Sequence, residues 1–174
     1  MDWTQTIFQV IDTRSFSSIW YWIIVAIIWS TATTWVMGVP SDMIHRARRE
    51  GGQAAVDVTD MVRIFVNRQR AIAAMAGLWL AGLGCFLLTV LLVLGFFYGV
   101  EMAQAIFLIA LPLTFVGAMT TSNVGLIAAT DPQGADLFTL LLRQRLWTQV
   151  IGMVAIFVTG MFGMYHNLAV MRLL

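Results

Sequence analysis

The chain has 174 residues, 60% hydrophobic and 11% charged, with a net charge of +1. Soluble domains carry about 25% charged residues, so this composition belongs to the membrane class, with room for one domain and no separate globular module. The near-neutral balance gives no basis for nucleic-acid binding. The complete absence of lysine excludes a P-loop lysine and a Schiff-base amine.

The opening residues Met1-Asp2-Trp3-Thr4-Gln5 lack a basic run before an apolar one, so a cleaved signal peptide is not expected. Trp3, Ile7, Val10 and Ile11 recur at helical spacing behind Asp2, which predicts a short interfacial helix over about 2–14. A first span is predicted over about 17–39, starting at Ser17 and stopping before Pro40. A second follows over 71–97, a third over 102–128 with Pro112 as a kink, and a fourth over 146–166. Only Tyr98-Gly99-Val100-Glu101 separates the second and third, which makes them a tight antiparallel hairpin.

The segment 40–70 is the one sizeable polar stretch. Ser41 can cap a helix through Arg49, and Gly51-Gly52 can end it. A second helix is expected to start near Asp57 or Thr59 and continue into the second span. Along it Met61, Ile64 and Phe65 form an apolar stripe opposite Asp60, Arg63, Asn67 and Arg70. The expected fold is therefore all-α: an integral membrane four-helix bundle with an N-terminal interfacial helix and a helical first loop.

Arginine sets the orientation, because basic residues near span ends resist translocation. The first loop holds Arg46, Arg48, Arg49, Arg63, Arg68 and Arg70, and the third holds Arg143 and Arg145; only Arg14 and Arg172 lie opposite. This predicts cytoplasmic first and third loops and both termini in the periplasm of a bacterial inner membrane. The aromatic residues agree. Trp3, Trp20, Trp22, Tyr98 and Tyr165 fall at the outer interface, and Trp35 and Trp147 at the inner one.

Every span carries small residues at spacing four. The ladders are Ala26, Ser30, Thr34 and Gly38; Ala73, Gly77, Ala81 and Cys85; Gly117, Thr121, Gly125 and Ala129; and Ala155, Thr159 and Gly163. In lipid, small residues let helix backbones approach closely, within the bundle or against another protein. The first ladder is the expected docking face, because a long polar loop leaves its span free to stand apart.

No ionisable residue is expected at mid-depth, the strongest catalytic signal in a membrane. Glu101 lies in the outer hairpin, His45 in the inner loop and His166 at the outer end of the fourth span, and neither histidine has a partner at suggestive spacing. Thr120-Thr121-Ser122-Asn123 and Thr31, Thr33 and Thr34 are expected to hydrogen-bond between helices or to their own backbone. Met161, Met164, His166 and Met171 would suit Cu(I) or a haem, but their spacing does not put them on one face. Cys85 stands alone, with no Cys-x-x-Cys pair for zinc or an iron–sulphur cluster. Ordinary packing is expected there, with no catalytic residue, cofactor or metal. Arg46, Arg48, Arg49, Arg63, Arg68 and Arg70 are candidates for contact with acidic lipid head groups or an acidic partner surface.

Met1-Asp2-Trp3, Asp12-Thr13-Arg14-Ser15-Phe16-Ser17, Trp29-Ser30, Gly38-Val39-Pro40 and Arg46-Ala47-Arg48-Arg49 resemble a family of small alphaproteobacterial membrane proteins labelled "component of SufBCD complex". The resemblance covers mainly the first 55 residues. It implies a link to iron–sulphur cluster assembly, as a membrane attachment for soluble machinery, and it carries over no functional residues. Four spans and Arg63-x-x-x-Asn67 also loosely resemble the glutathione-dependent membrane enzymes of the MAPEG type, although the Glu-Asn pair usual in that family is missing. The expected function is a non-enzymatic accessory or scaffold subunit of a respiratory, photosynthetic or transport complex, in contact with membrane lipids and other integral subunits. The alternatives are the small membrane subunit of a transporter and the glutathione-type enzyme.

Overall fold

A computed structural model describes residue 16 and residues 18–171; the expected interfacial helix over 2–14 lies outside them. The described residues are all-α apart from one hairpin of two-residue strands. Helix α1 (Ile19–Thr34) leads into strands β1 (Trp35–Val36) and β2 (Val39–Pro40), followed by α2 (Ser41–Glu50) and α3 (Gly52–Leu92). After a π-helical turn (Val93–Phe97) come α4 (Glu101–Thr130) and α5 (Ala135–Met171). Three helices, α3 with its π turn, α4 and α5, are long and apolar enough to cross a membrane.

The first span is shorter than expected over 17–39. Helix α1 has 16 residues, about 24 Å at 1.5 Å per residue. It stops at Thr34 because the chain reverses through Met37 and Gly38, at φ 48° and 77°. Positive φ at both central residues is the two-residue hairpin turn that matches strand twist. Glycine adopts it freely. Met37 does not, and its burial at 3% exposure offsets the strain.

The segment 40–70 is almost wholly helical. Pro40 occupies the cap position of α2 and Ser41 is its first helical residue, one place inside the expected cap. Asp42 in the first turn and Arg48 and Arg49 in the last complement the helix dipole. Gly51, at φ 63°, donates its N–H to Ala47 O and closes the helix. Helix α3 begins at Gly52, ahead of Asp57, and its 41 residues reach about 62 Å. Its buried stripe is Val58, Val62 and Val66, one helical face at spacing four. The expected stripe is corrected accordingly: Met61 and Phe65 are half-buried on its flank, and Ile64 is exposed. The valine stripe prevails because it faces Ile44 and Ala47 of α2 and Val124, Ile127, Leu137 and Leu141 of the α4–α5 turn. Helix α5 likewise starts at Ala135, well before 146, because Leu137, Phe138, Leu140 and Leu141 bury into this same core.

A second core holds the other half of the molecule. Tyr21, Val25 and Trp29 of α1 pack with Phe16 against Ala105 of α4 and Ala155 of α5. Helix α1 therefore does not stand apart. Glycine makes the contact close, since a Cβ at Gly152 would lie 2.7 Å from Trp29 Cε3 and one at Gly163 3.3 Å from Phe16. Near the α3–α4 hairpin a Cβ at Gly95 would lie 2.9 Å from the Gln104 backbone N. The π turn shifts the hydrogen-bond register there, and Gln104 Nε2 donates to Gly95 O at 2.7 Å. Pro112 lies inside α4 without interrupting the helix.

Candidate functional site

The four small-residue ladders do not behave alike. Ala155, Thr159 and Gly163 of α5 are buried beneath α1. The other three are largely exposed, those of α3 and α4 along opposite walls of one groove. On α1, Ala26, Ser30 and Thr34 are exposed, about 100° round the helix from the Tyr21–Val25–Trp29 stripe. Gly38 is not a rung of this ladder: it sits in the hairpin turn, off the helix, where a Cβ would lie 2.9 Å from Phe65 Cδ2. Ala26, Ser30 and Thr33 form one wall of a shallow groove of about 480 Å³, and Gln149, Gly152 and Met153 of α5 form the other. Thr33 and Thr34 donate their hydroxyls to Trp29 O and Ser30 O, so these two side chains are satisfied within α1.

The six candidate arginines divide into two sets. Arg46, Arg48 and Arg49 are exposed on α2. Arg46 Nε donates to Glu50 Oε2 at 2.9 Å, and this hydrogen bond, reinforced by the Glu50 charge, raises the pKa of the guanidinium. Arg48 and Arg49 share a surface concavity with His45. Arg63, Arg68 and Arg70 are exposed on α3. Arg63, Asn67 and Arg70 follow one face and line a cavity of about 180 Å³ under the α4–α5 turn, with Asp131 on its rim; Arg68 is not part of it. Arg63 Nη2 lies 3.6 Å from Asp60 Oδ1, a loose exposed pair.

Three polar contacts join distant elements, and of these the sequence reading anticipated only the interhelical bonding of Thr120 and Asn123. At the end of the bundle that carries α2, Arg145 Nη1 donates to His45 Nε2 at 2.8 Å, which fixes α2 to α5 and leaves the proton on Nδ1. Within the bundle Asn123 Nδ2 donates to Gln144 Oε1 at 2.9 Å, while Gln144 Nε2 donates to Thr120 Oγ1 at 2.8 Å. Gln144 is the buried centre of this α4–α5 link. At the opposite end Glu101 accepts the Phe16 N–H at 3.0 Å through Oε1, and its Oε2 lies 3.3 Å from His166 Nε2. His166 thus faces Glu101, while Met161 and Met164 are exposed. Among the described residues no three His, Cys, Asp or Glu side chains gather into a metal-ligating cluster.

Comparison of the chain with family models, with curated proteins and with solved structures gives no match.

Proposed function

We propose that this chain is a non-enzymatic accessory or scaffold subunit of a larger bacterial inner-membrane complex, crossing the membrane four times with both termini in the periplasm. Helix α1 is the fourth crossing. Phe16 is tied to Glu101 and His166 at one end of the bundle, and Val36 and Val39 enter the valine-lined core at the other, so the 16-residue helix runs between the same two ends as its neighbours. The arginines of α2 and the start of α3 lie around that valine-lined core, which favours its placement in the cytoplasm.

The observation that carries the docking role is the outward Ala26–Ser30–Thr34 face beside the α1–α5 groove. Close backbone approach is what drives helix association where lipid surrounds every apolar surface. The test is purification of wild type and Ser30→Leu at matched levels in mild detergent, with mass spectrometry of what accompanies each. Overpacking of this kind costs about 1–3 kcal/mol, up to roughly a hundredfold in affinity. Loss of an accompanying subunit from the variant supports the proposal. A wild type that purifies alone, or an unchanged set of partners, contradicts it.

A further inference from the structure

The ladders of α3 and α4 face one another and yet do not touch. A Cβ at Gly77 would meet only Ala73 of its own helix, and at Gly117 and Gly125 it would meet nothing within 4 Å. The two helices are joined at both ends: by Val62 and Val66 with Val124 and Ile127 at the inner end, and by Gly95 against Gln104 at the outer. Between these joints lies a groove of about 760 Å³ whose walls include Ala73, Gly77, Ala81, Gly117, Thr121 and Gly125. Its volume falls within the roughly 300–1,000 Å³ typical of small-molecule sites. From Arg70 to Leu88 along α3 it runs about 27 Å, close to the thickness of a bilayer core.

We propose that this groove holds one acyl chain of an anionic phospholipid, with the lipid phosphate on Arg70 and Arg63. Three features select that occupant. First, α3 and α4 are pinned together above and below the opening. A helix about 10–12 Å across cannot lie between them along its length, whereas a single acyl chain can. Second, Arg70 lines both the apolar groove and the cavity that contains Arg63 and Asn67, so the two spaces meet at an arginine. Third, this junction lies at the arginine-rich end, where basic pockets between transmembrane helices take phosphate head groups. Gln69 at the groove mouth adds a neutral amide donor. The Asp131 carboxylate also lines the cavity and repels a phosphate placed beside it. Guanidinium donors match phosphate oxygens two at a time, so binding favours an anionic lipid over a zwitterionic one of equal chain length.

Native mass spectrometry of the full chain in mild detergent tests this, with phosphatidylglycerol, phosphatidylcholine or inorganic phosphate added. The expected result is one retained phosphatidylglycerol per chain, clearly above phosphatidylcholine and not displaced by millimolar phosphate. Arg63→Gln with Arg70→Gln lowers retention by at least about tenfold, because each arginine near the head group contributes on the order of a factor of five to ten. The pair Ala81→Leu and Gly117→Leu fills the groove at exposed positions and also abolishes retention. Arg48→Gln with Arg49→Gln, on the other arginine set, leaves it unchanged. Equal retention of both lipids overturns the proposal, as does displacement by phosphate alone. A chain that purifies as a dimer dissociated by the groove-filling pair, with no lipid bound, assigns the groove to a second copy instead. The assay needs no partner subunit, so its failure is distinct from failure of the docking role.

Discussion

Glu101 bridges the start of the described chain to the end of its last helix: one carboxylate oxygen accepts the Phe16 N–H and the other lies 3.3 Å from His166 Nε2. Phe16 in turn packs edge-on to Tyr21 and Phe162. A single side chain thereby fixes where α1 enters the bundle relative to α4 and α5. Glu101→Ala leaves a buried N–H without its acceptor, a cost of about 1–3 kcal/mol. Thermal unfolding in detergent should fall for Glu101→Ala and fall less for Glu101→Gln, which keeps an acceptor oxygen for Phe16. Equal stability of wild type and Glu101→Ala contradicts the bridge.

The glycines separate by what surrounds them. Gly95→Ala and Gly152→Ala push a methyl to within 2.9 and 2.7 Å of Gln104 and Trp29, and overpacking costs about 1–3 kcal/mol. Gly82→Ala and Gly125→Ala meet open space and gain up to about 1 kcal/mol in helix propensity. The same unfolding measurement should place the first pair below wild type and the second pair at or above it.

Much of the helical plan was legible in the sequence, because long apolar runs flanked by arginine have few other physical explanations. The extents were harder. The first turns of α3 and α5 are too polar to read as span, and only tertiary burial of Val58 and Leu137 makes them core. The Met37-Gly38 turn hid for a different reason: no proline or second glycine marks it within the run before Pro40. Glu101–His166 and His45–Arg145 are contacts between distant segments, the latter a hundred residues apart, and spacing arguments see only near neighbours. The six arginines were visible as a charge cluster on two helices, but that Arg63 and Arg70 share a cavity and Arg68 does not required the fold.

Gln144 ties α4 to α5 through Asn123 and Thr120. Interhelical hydrogen bonds in membranes contribute about 0.6–2 kcal/mol. Gln144→Leu removes two of them and leaves the Asn123 amide unpaired. Unfolding should shift down by roughly that amount for one or two bonds, and Asn123→Leu in the same background should recover part of the loss. Additive losses in the double variant speak against a shared node.

Orientation is tested by labelling in a Cys85→Ser background with a thiol reagent that does not cross membranes. Tyr98→Cys, in the outer hairpin, should label in intact cells, and Arg48→Cys on α2 only after the membrane is opened. The reverse pattern inverts the topology.

The docking role rests on the outward face of α1, and the most direct measurement is a photo-crosslinking residue placed at Ser30 in living cells. The account predicts a discrete adduct heavier than the 19.4 kDa chain that contains a different integral membrane polypeptide. The same residue at Val25, buried against the protein's own bundle, should give none. Lipid adducts alone at Ser30, or a crosslink only to a second copy of this chain, contradict an accessory subunit that docks through α1.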